Sequence, residues 1–137
     1  MKLIEKKMNL FEVDDKYYLA HCISQDAKMG AGIAVDFQNK FKLRNKILTY
    51  QPQYPCCIQI GRVFNLITKK YYYNKPTYNN FTIALQNMKN QIEQQNIKYL
   101  AIYKLGCARD RLQWSKVKSI IQEVFKDVDI EILVCKL

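Results

Sequence analysis

Acidic residues are missing from the middle of this 137-residue chain: none lies between Asp36 and Glu93, a stretch that holds nine lysines and arginines. The totals, 22 Lys and Arg against 12 Asp and Glu, leave a net charge of +10. Such a surface draws a polyanion or a phosphate-bearing ligand, although solubility alone also explains spread lysines. Four glycines and three prolines are too few for a collagen, a linker or a disordered chain, and 49% of the residues are hydrophobic. No apolar run approaches the roughly 18 residues that span a bilayer. Lys2, Glu5, Lys6 and Lys7 stand where a secretory signal needs its apolar core. The expectation is a soluble intracellular protein, cytoplasmic or nuclear, with no membrane partner. Histidine occurs once, at His21, and Cys22, Cys56, Cys57, Cys107 and Cys135 form no Cys-x-x-Cys pair. That argues against a metal site and for small core thiols in a reducing compartment. At this length one domain, residues 1–137, buries enough surface to fold without staples.

What is present alternates between the periods of strand and helix. Lys2 to Met8 reads as an edge strand, and Tyr17 to Ile23, apolar and aromatic without a breaker, as a buried central one. Ile33, Ala34, Phe37 and Phe41 share a helical face in Ala31 to Phe41. Gly61-Arg62 predicts a tight turn between antiparallel strands Cys56 to Ile60 and Val63 to Thr68. Thr77 is an N-cap for a helix whose stripe is Phe81, Ala84, Leu85, Met88 and Ile92. A strand over Tyr99 to Tyr103, a helix from about Ser115 and a terminal strand over Asp129 to Leu137 follow, with Tyr50 to Pro55 and its two prolines as a long surface loop. This order predicts an α/β sandwich.

Three strand ends carry chemistry-bearing residues. Ser24 opens a loop in which Gly30, Ala31 and Gly32 lead into the helix at Ile33. Glycines there let a phosphate approach the backbone, and a helix N-terminus offers free N–H donors. The spacing fits neither the Rossmann nor the Walker A pattern, and a plain tight turn explains it equally. The second loop, Gly106-Cys107-Ala108-Arg109-Asp110-Arg111, also joins a strand to a helix. In a parallel sheet both loops lie at the carboxyl ends of the strands, where ligands bind. Flanking arginines keep Asp110 ionised, as a base, as a ribose hydroxyl acceptor, or as part of a surface ion cluster. The third is Lys69-Lys70, where a neighbouring cation favours the free amine that attacks an anomeric carbon, unless the two are a solvated pair. His21 reads as a satisfied core histidine.

Taken together, His21-Cys22-Ile23-Ser24, Met29-Gly30-Ala31-Gly32-Ile33-Ala34-Val35, Leu66-Ile67-Thr68-Lys69-Lys70, Lys75-Pro76-Thr77-Tyr78, Gly106-Cys107 and Asp110-Arg111-Leu112-Gln113-Trp114 form one ordered set. From Asn9 to Leu137 the chain resembles macrodomains of the terminal ADP-ribose protein glycohydrolase subgroup, within the ALC1-like class. The resemblance implies a three-layer α/β/α macrodomain with a mixed central sheet. It implies an enzyme, a hydrolase that removes mono-ADP-ribose from acidic side chains of modified proteins through a lysine-sugar covalent intermediate. Lys69 takes the place of the nucleophile and Asp110 that of the group handling protons. The ligand-binding positions carried over are Asn9, Leu10, Ser24, Gly30, Ala31, Gly32, Ile33, Gly106, Cys107, Ala108 and Arg109. No cofactor and no metal are implied, the partners being ADP-ribose and ADP-ribosylated protein, and the protein a monomer.

The chain departs from the family pattern in two places. Asn9, after Met8, stands where the family has an aspartate accepting from the adenine amino group, which weakens that bond by roughly 1 kcal/mol. Ala108-Arg109 replaces Gly-Leu, adding a methyl group beside the phosphate path and a cation that can contact the phosphate. Lys42 to Pro55 matches poorly. Three alternatives stay open: a glycohydrolase acting on ADP-ribosylated nucleic acid, as antitoxin macrodomains do; a non-catalytic ADP-ribose reader; and an unrelated single-strand binder using Tyr71, Tyr72 and Tyr73 for stacking.

Overall fold

The computed structural model describes residues 1–137. In chain order its elements are β1 (Lys2–Lys7), a 3-10 turn (Leu10–Glu12), β2 (Tyr18–Ser24), α1 (Ile33–Phe41), α2 (Arg44–Thr49), β3 (Cys56–Ile60), β4 (Val63–Lys69), α3 (Tyr78–Gln94), β5 (Tyr99–Ile102), α4 (Trp114–Val124) and β6 (Glu131–Lys136). The strands form one sheet in the order β1-β6-β5-β2-β4-β3. Every neighbouring pair is parallel except β3 with β4, which the Gly61 turn joins as a hairpin. Gly61 has φ +56, a conformation that glycine adopts without cost.

Alternation along the strands divides the core into two layers, because successive side chains point to opposite faces. On one face Ala20, Phe64 and Leu66 pack with Phe81, Leu85 and Met88 of α3 and Val117 and Ile121 of α4. On the other, Leu19, Ile23, Val63 and Ile67 pack with Phe37 of α1 and Leu43 and Ile47 around α2. The result is the expected α/β/α sandwich with a mixed sheet, and the breaker-free segment Tyr18–Ser24 does lie inside it, between β5 and β4. Thr77 caps α3 as predicted, its hydroxyl accepting from Asn80 N–H at 3.0 Å. No helix is long and apolar enough to cross a membrane.

The differences from the sequence expectations are local. α1 starts at Ile33, because Gly32 at φ 63, ψ −151 is outside helical space. α2 was not expected: it is six residues long, and only Ile47 within it is buried. The parallel pairing of β2 with β4 slips at its end, where Ile23 faces Ile67 but Ser24 faces Lys69, so Thr68 is an extra residue. Such a bulge bends the strand end and changes the direction of the residue that follows.

Candidate active site

The carboxyl ends of β2, β4 and β5 meet at a cavity of about 1110 Å³. Its walls are the loop from Ser24 to α1 and the loop from Tyr103 to α4. Six cations, Lys28, Lys69, Lys75, Lys104, Arg109 and Lys136, line it against two carboxylates, Asp36 and Asp110. The nine-cation middle stretch contributes only Lys69 and Lys75 of these. Arg62 and Lys89 instead pair with Asp15 and Glu93 on the surface.

Lys69 and Asp110, 41 residues apart, are brought into contact. Lys69 Nζ donates to Asp110 Oδ1 at 2.6 Å, and their side chains are only 12% and 10% exposed. Asp110 is thus no surface cluster. The expected cation beside Lys69 is not its nearest partner either, since Lys70 turns outward with Nζ 5.5 Å from the ring of Tyr71. A buried lysine held by a carboxylate has its proton acceptor already in place, and a shift of that proton leaves a free amine next to a neutral acid.

The two glycine loops face each other across this pair. Gly32 lies in a region of φ and ψ open essentially to glycine alone, and a Cβ there would stand 3.1 Å from Cδ of Arg109. The Arg109 side chain therefore crosses from one loop to the other. Its carbonyl accepts from Lys75 Nζ at 2.6 Å. Gly106 has φ +70, and a Cβ would be 2.8 Å from Leu112 Cδ1, so this loop closes tightly on a buried leucine. Gly30 differs: nothing lies within 4 Å of a Cβ placed there. The first turn of α1 presents its unpaired N–H groups beside these glycines, a setting suited to an anion.

Of the positions named from sequence, Asn9, Ser24, Gly30, Ala31, Gly32, Ile33, Gly106, Cys107, Ala108 and Arg109 all line the cavity with Lys69 and Asp110. Leu10 does not: it is fully buried, and its N–H donates to the Tyr103 hydroxyl at 3.0 Å. Asn9 spends one lone pair on Phe11 N–H at 2.9 Å, capping the 3-10 turn. Ser24 donates its hydroxyl to Asp26, whose other oxygen accepts Tyr72 N–H at 3.1 Å. Asp26 and Tyr103 were missed by sequence reading. For Tyr103 a signal existed, a hydroxyl directly past the end of a buried strand.

His21 is satisfied on one side only. Nε2 contacts Asn65 Oδ1 at 2.6 Å, and because the Asn65 amide donates to the carbonyl of Ile58, that oxygen accepts and Nε2 carries the proton. Nδ1 is buried without a partner, and the ring stacks on Phe37 at 3.9 Å. Burial, opposed by the Asn65 bond, lowers its pKa to about 4. All five cysteines are free. Burial pushes the Cys22 thiol well above its ordinary value, raises Cys107 and takes Cys135 up to about 11, so none of the three cavity thiols supplies a thiolate.

A mixed sheet between two helical layers, with glycine loops converging over the parallel strand ends, defines a macrodomain. The macrodomain of Thermus aquaticus DarG superposes with a TM-score of 0.85 at 22% identity over 98% of both chains. Thermosipho africanus DarTG in complex with ADP-ribose superposes at 0.80 and 15% identity, over 98% of this chain and 41% of that one. No family profile matches the chain. Within the class the relationship is closer still: human ADP-ribose glycohydrolase OARD1 is 40% identical over 132 residues, 93% of this chain and 87% of the relative. The chain belongs to the OARD1 family of macrodomains.

Proposed function

We propose that the protein is an ADP-ribose glycohydrolase that releases mono-ADP-ribose from acidic side chains of modified proteins. The observation that carries this reading is the Lys69–Asp110 contact of 2.6 Å at the cavity floor, between two loops suited to a diphosphate. A molecule that only holds ADP-ribose needs no amine paired with a carboxylate. Asn9 takes the adenine end, and the Gly30 to Ile33 backbone and the Gly106 to Arg109 loop enclose the diphosphate and distal ribose.

The chemistry follows from the pair. Asp110 accepts a proton from Lys69, and the amine lone pair forms a bond to the anomeric carbon of the distal ribose. The bond from that carbon to the side-chain ester oxygen breaks, and its electrons leave with the carboxylate. Water then attacks the anomeric carbon and gives up one proton to the solvent as the carbon–nitrogen bond breaks; that bond's electron pair stays on the Lys69 nitrogen, which takes its proton back from Asp110, so the ion pair is restored and ADP-ribose is freed. A nucleic-acid carrier is the second reading, favoured by the exposed tyrosines beside Lys69.

The test is intact-mass spectrometry after exposure to an automodified ADP-ribosyltransferase. In Asp110→Ala the Lys69 amine, giving its proton to water instead, still reaches the anomeric carbon, while release stalls for lack of the acid. An ADP-ribose adduct is expected on Asp110→Ala and none on Asp110→Ala/Lys69→Ala. Full activity of Lys69→Ala refutes the mechanism.

A further inference from the structure

Three consecutive aromatic residues take no part in the chemistry above. Tyr71, Tyr72 and Tyr73 follow Lys69-Lys70 directly and are 42%, 55% and 65% exposed. Tyr71 stacks on Tyr73 with centroids 5.5 Å apart and planes at 11°, while Tyr72 meets Tyr73 edge-on at 5.3 Å. Single exposed tyrosines are ordinary, but a contiguous aromatic ledge at the mouth of a cavity marks an interaction surface.

The ledge is held rather than loose. Tyr72 N–H is bound by Asp26 at 3.1 Å. Tyr71 N–H donates to Asn74 Oδ1 and Asn74 N–H returns to the Tyr71 carbonyl, each at 3.0 Å. Cations flank it: Lys28 Nζ lies 5.2 Å from the Tyr72 ring centroid, and Lys70 Nζ 5.5 Å from that of Tyr71. Flat π-faces between ammonium groups match the chemistry of an unpaired nucleotide, whose base stacks and whose phosphate meets the charge. An acidic peptide uses the lysines but gains little from stacked ring faces, and duplex DNA keeps its bases out of reach.

We propose that Tyr71–Tyr73, with Lys28 and Lys70, form a docking ledge for single-stranded nucleic acid. The chain's net charge of +10 supplies the long-range attraction.

Fluorescence anisotropy with an unmodified, labelled oligothymidylate tests the ledge apart from any hydrolysis. The wild-type protein binds it, and binds a duplex of equal length more weakly. Tyr71→Ala weakens binding about ten-fold and Tyr71→Ala/Tyr73→Ala about a hundred-fold, while Tyr71→Phe, which keeps the ring, binds like wild type. Tyr71→Ala leaves turnover of a small ADP-ribosyl ester unchanged. Three results overturn the proposal: no oligonucleotide binding by the wild type, equal binding of duplex, or alanine variants that bind as wild type and so reveal charge alone. Absence of ester turnover in the wild type refutes the enzymatic reading instead, and leaves the anisotropy series as the measure of the ledge.

Discussion

Removing one partner of the Lys69–Asp110 pair is expected to cost the protein stability as well as activity, and the two losses can be separated. The pair has an N–O distance of 2.6 Å and side chains about nine-tenths buried. In such a place the desolvation of each ion is offset mainly by the other, so a single deletion strands an uncompensated charge. Fully buried pairs lose about 3–5 kcal/mol on deletion of one member. This pair sits on a cavity floor with some access to water, so about 3 kcal/mol is expected for Lys69→Met. For a domain of this size that lowers Tm by about 10 °C. Lys69→Met/Asp110→Leu buries no charge and is expected to melt within a few degrees of wild type, yet to show no turnover. Thermal melts followed by circular dichroism at neutral pH read the whole cycle. A single variant that melts within a degree of wild type at neutral pH, or a double variant less stable than both singles, refutes the view that these ions depend on each other.

Three further outcomes follow from the cavity and its floor. Gly30→Glu, at a position with open space around a Cβ, is expected to fold normally and bind ADP-ribose at least ten-fold more weakly by calorimetry, because it adds a negative charge beside the diphosphate path. Gly32→Ala is expected to lose about 1–3 kcal/mol of stability through backbone strain, with the Arg109 side chain also displaced from its 3.1 Å approach, seen as a lower urea midpoint. His21, with its pKa lowered from 6.5 to about 4, takes up its proton more readily in the unfolded chain, so stability falls as pH drops from about 6.5 to 4. The loss amounts to about 3 kcal/mol, from about 1.4 kcal/mol per unit; urea midpoints across that range should show it, and His21→Gln should flatten the slope.

Most of the fold is legible because burial here follows simple periods. The stripe Phe81, Ala84, Leu85, Met88 and Ile92 repeats at helical spacing over about three turns, and all five side chains are buried. Tyr18–Ser24 lacks any breaker because both faces of a central parallel strand are covered. α2 was illegible for the converse reason. Two turns of helix with one buried residue hold no period to detect, and Leu43 and Ile47 anchor it through tertiary packing alone.

The site divides along the same line. Glycine loops and strand ends are local features, and the residues they carry line the cavity. What each residue touches is not local. Lys69 beside Lys70 reads from sequence as one cation tuned by another, but the extra residue Thr68 at the end of β4 sets Lys69 opposite Ser24 while Lys70 turns to the Tyr71 ring. The carboxylate that takes Lys70's expected place arrives from a loop 41 residues away. Asp110 occupies that place because Gly106 at φ +70 closes its loop over Leu112, and because Arg109 spans to Gly32 while its carbonyl holds Lys75. The pairing of amine and acid is therefore a property of sheet register and of two glycine conformations. A change at Gly106 or at the bulge is expected to lower turnover without altering either member of the pair.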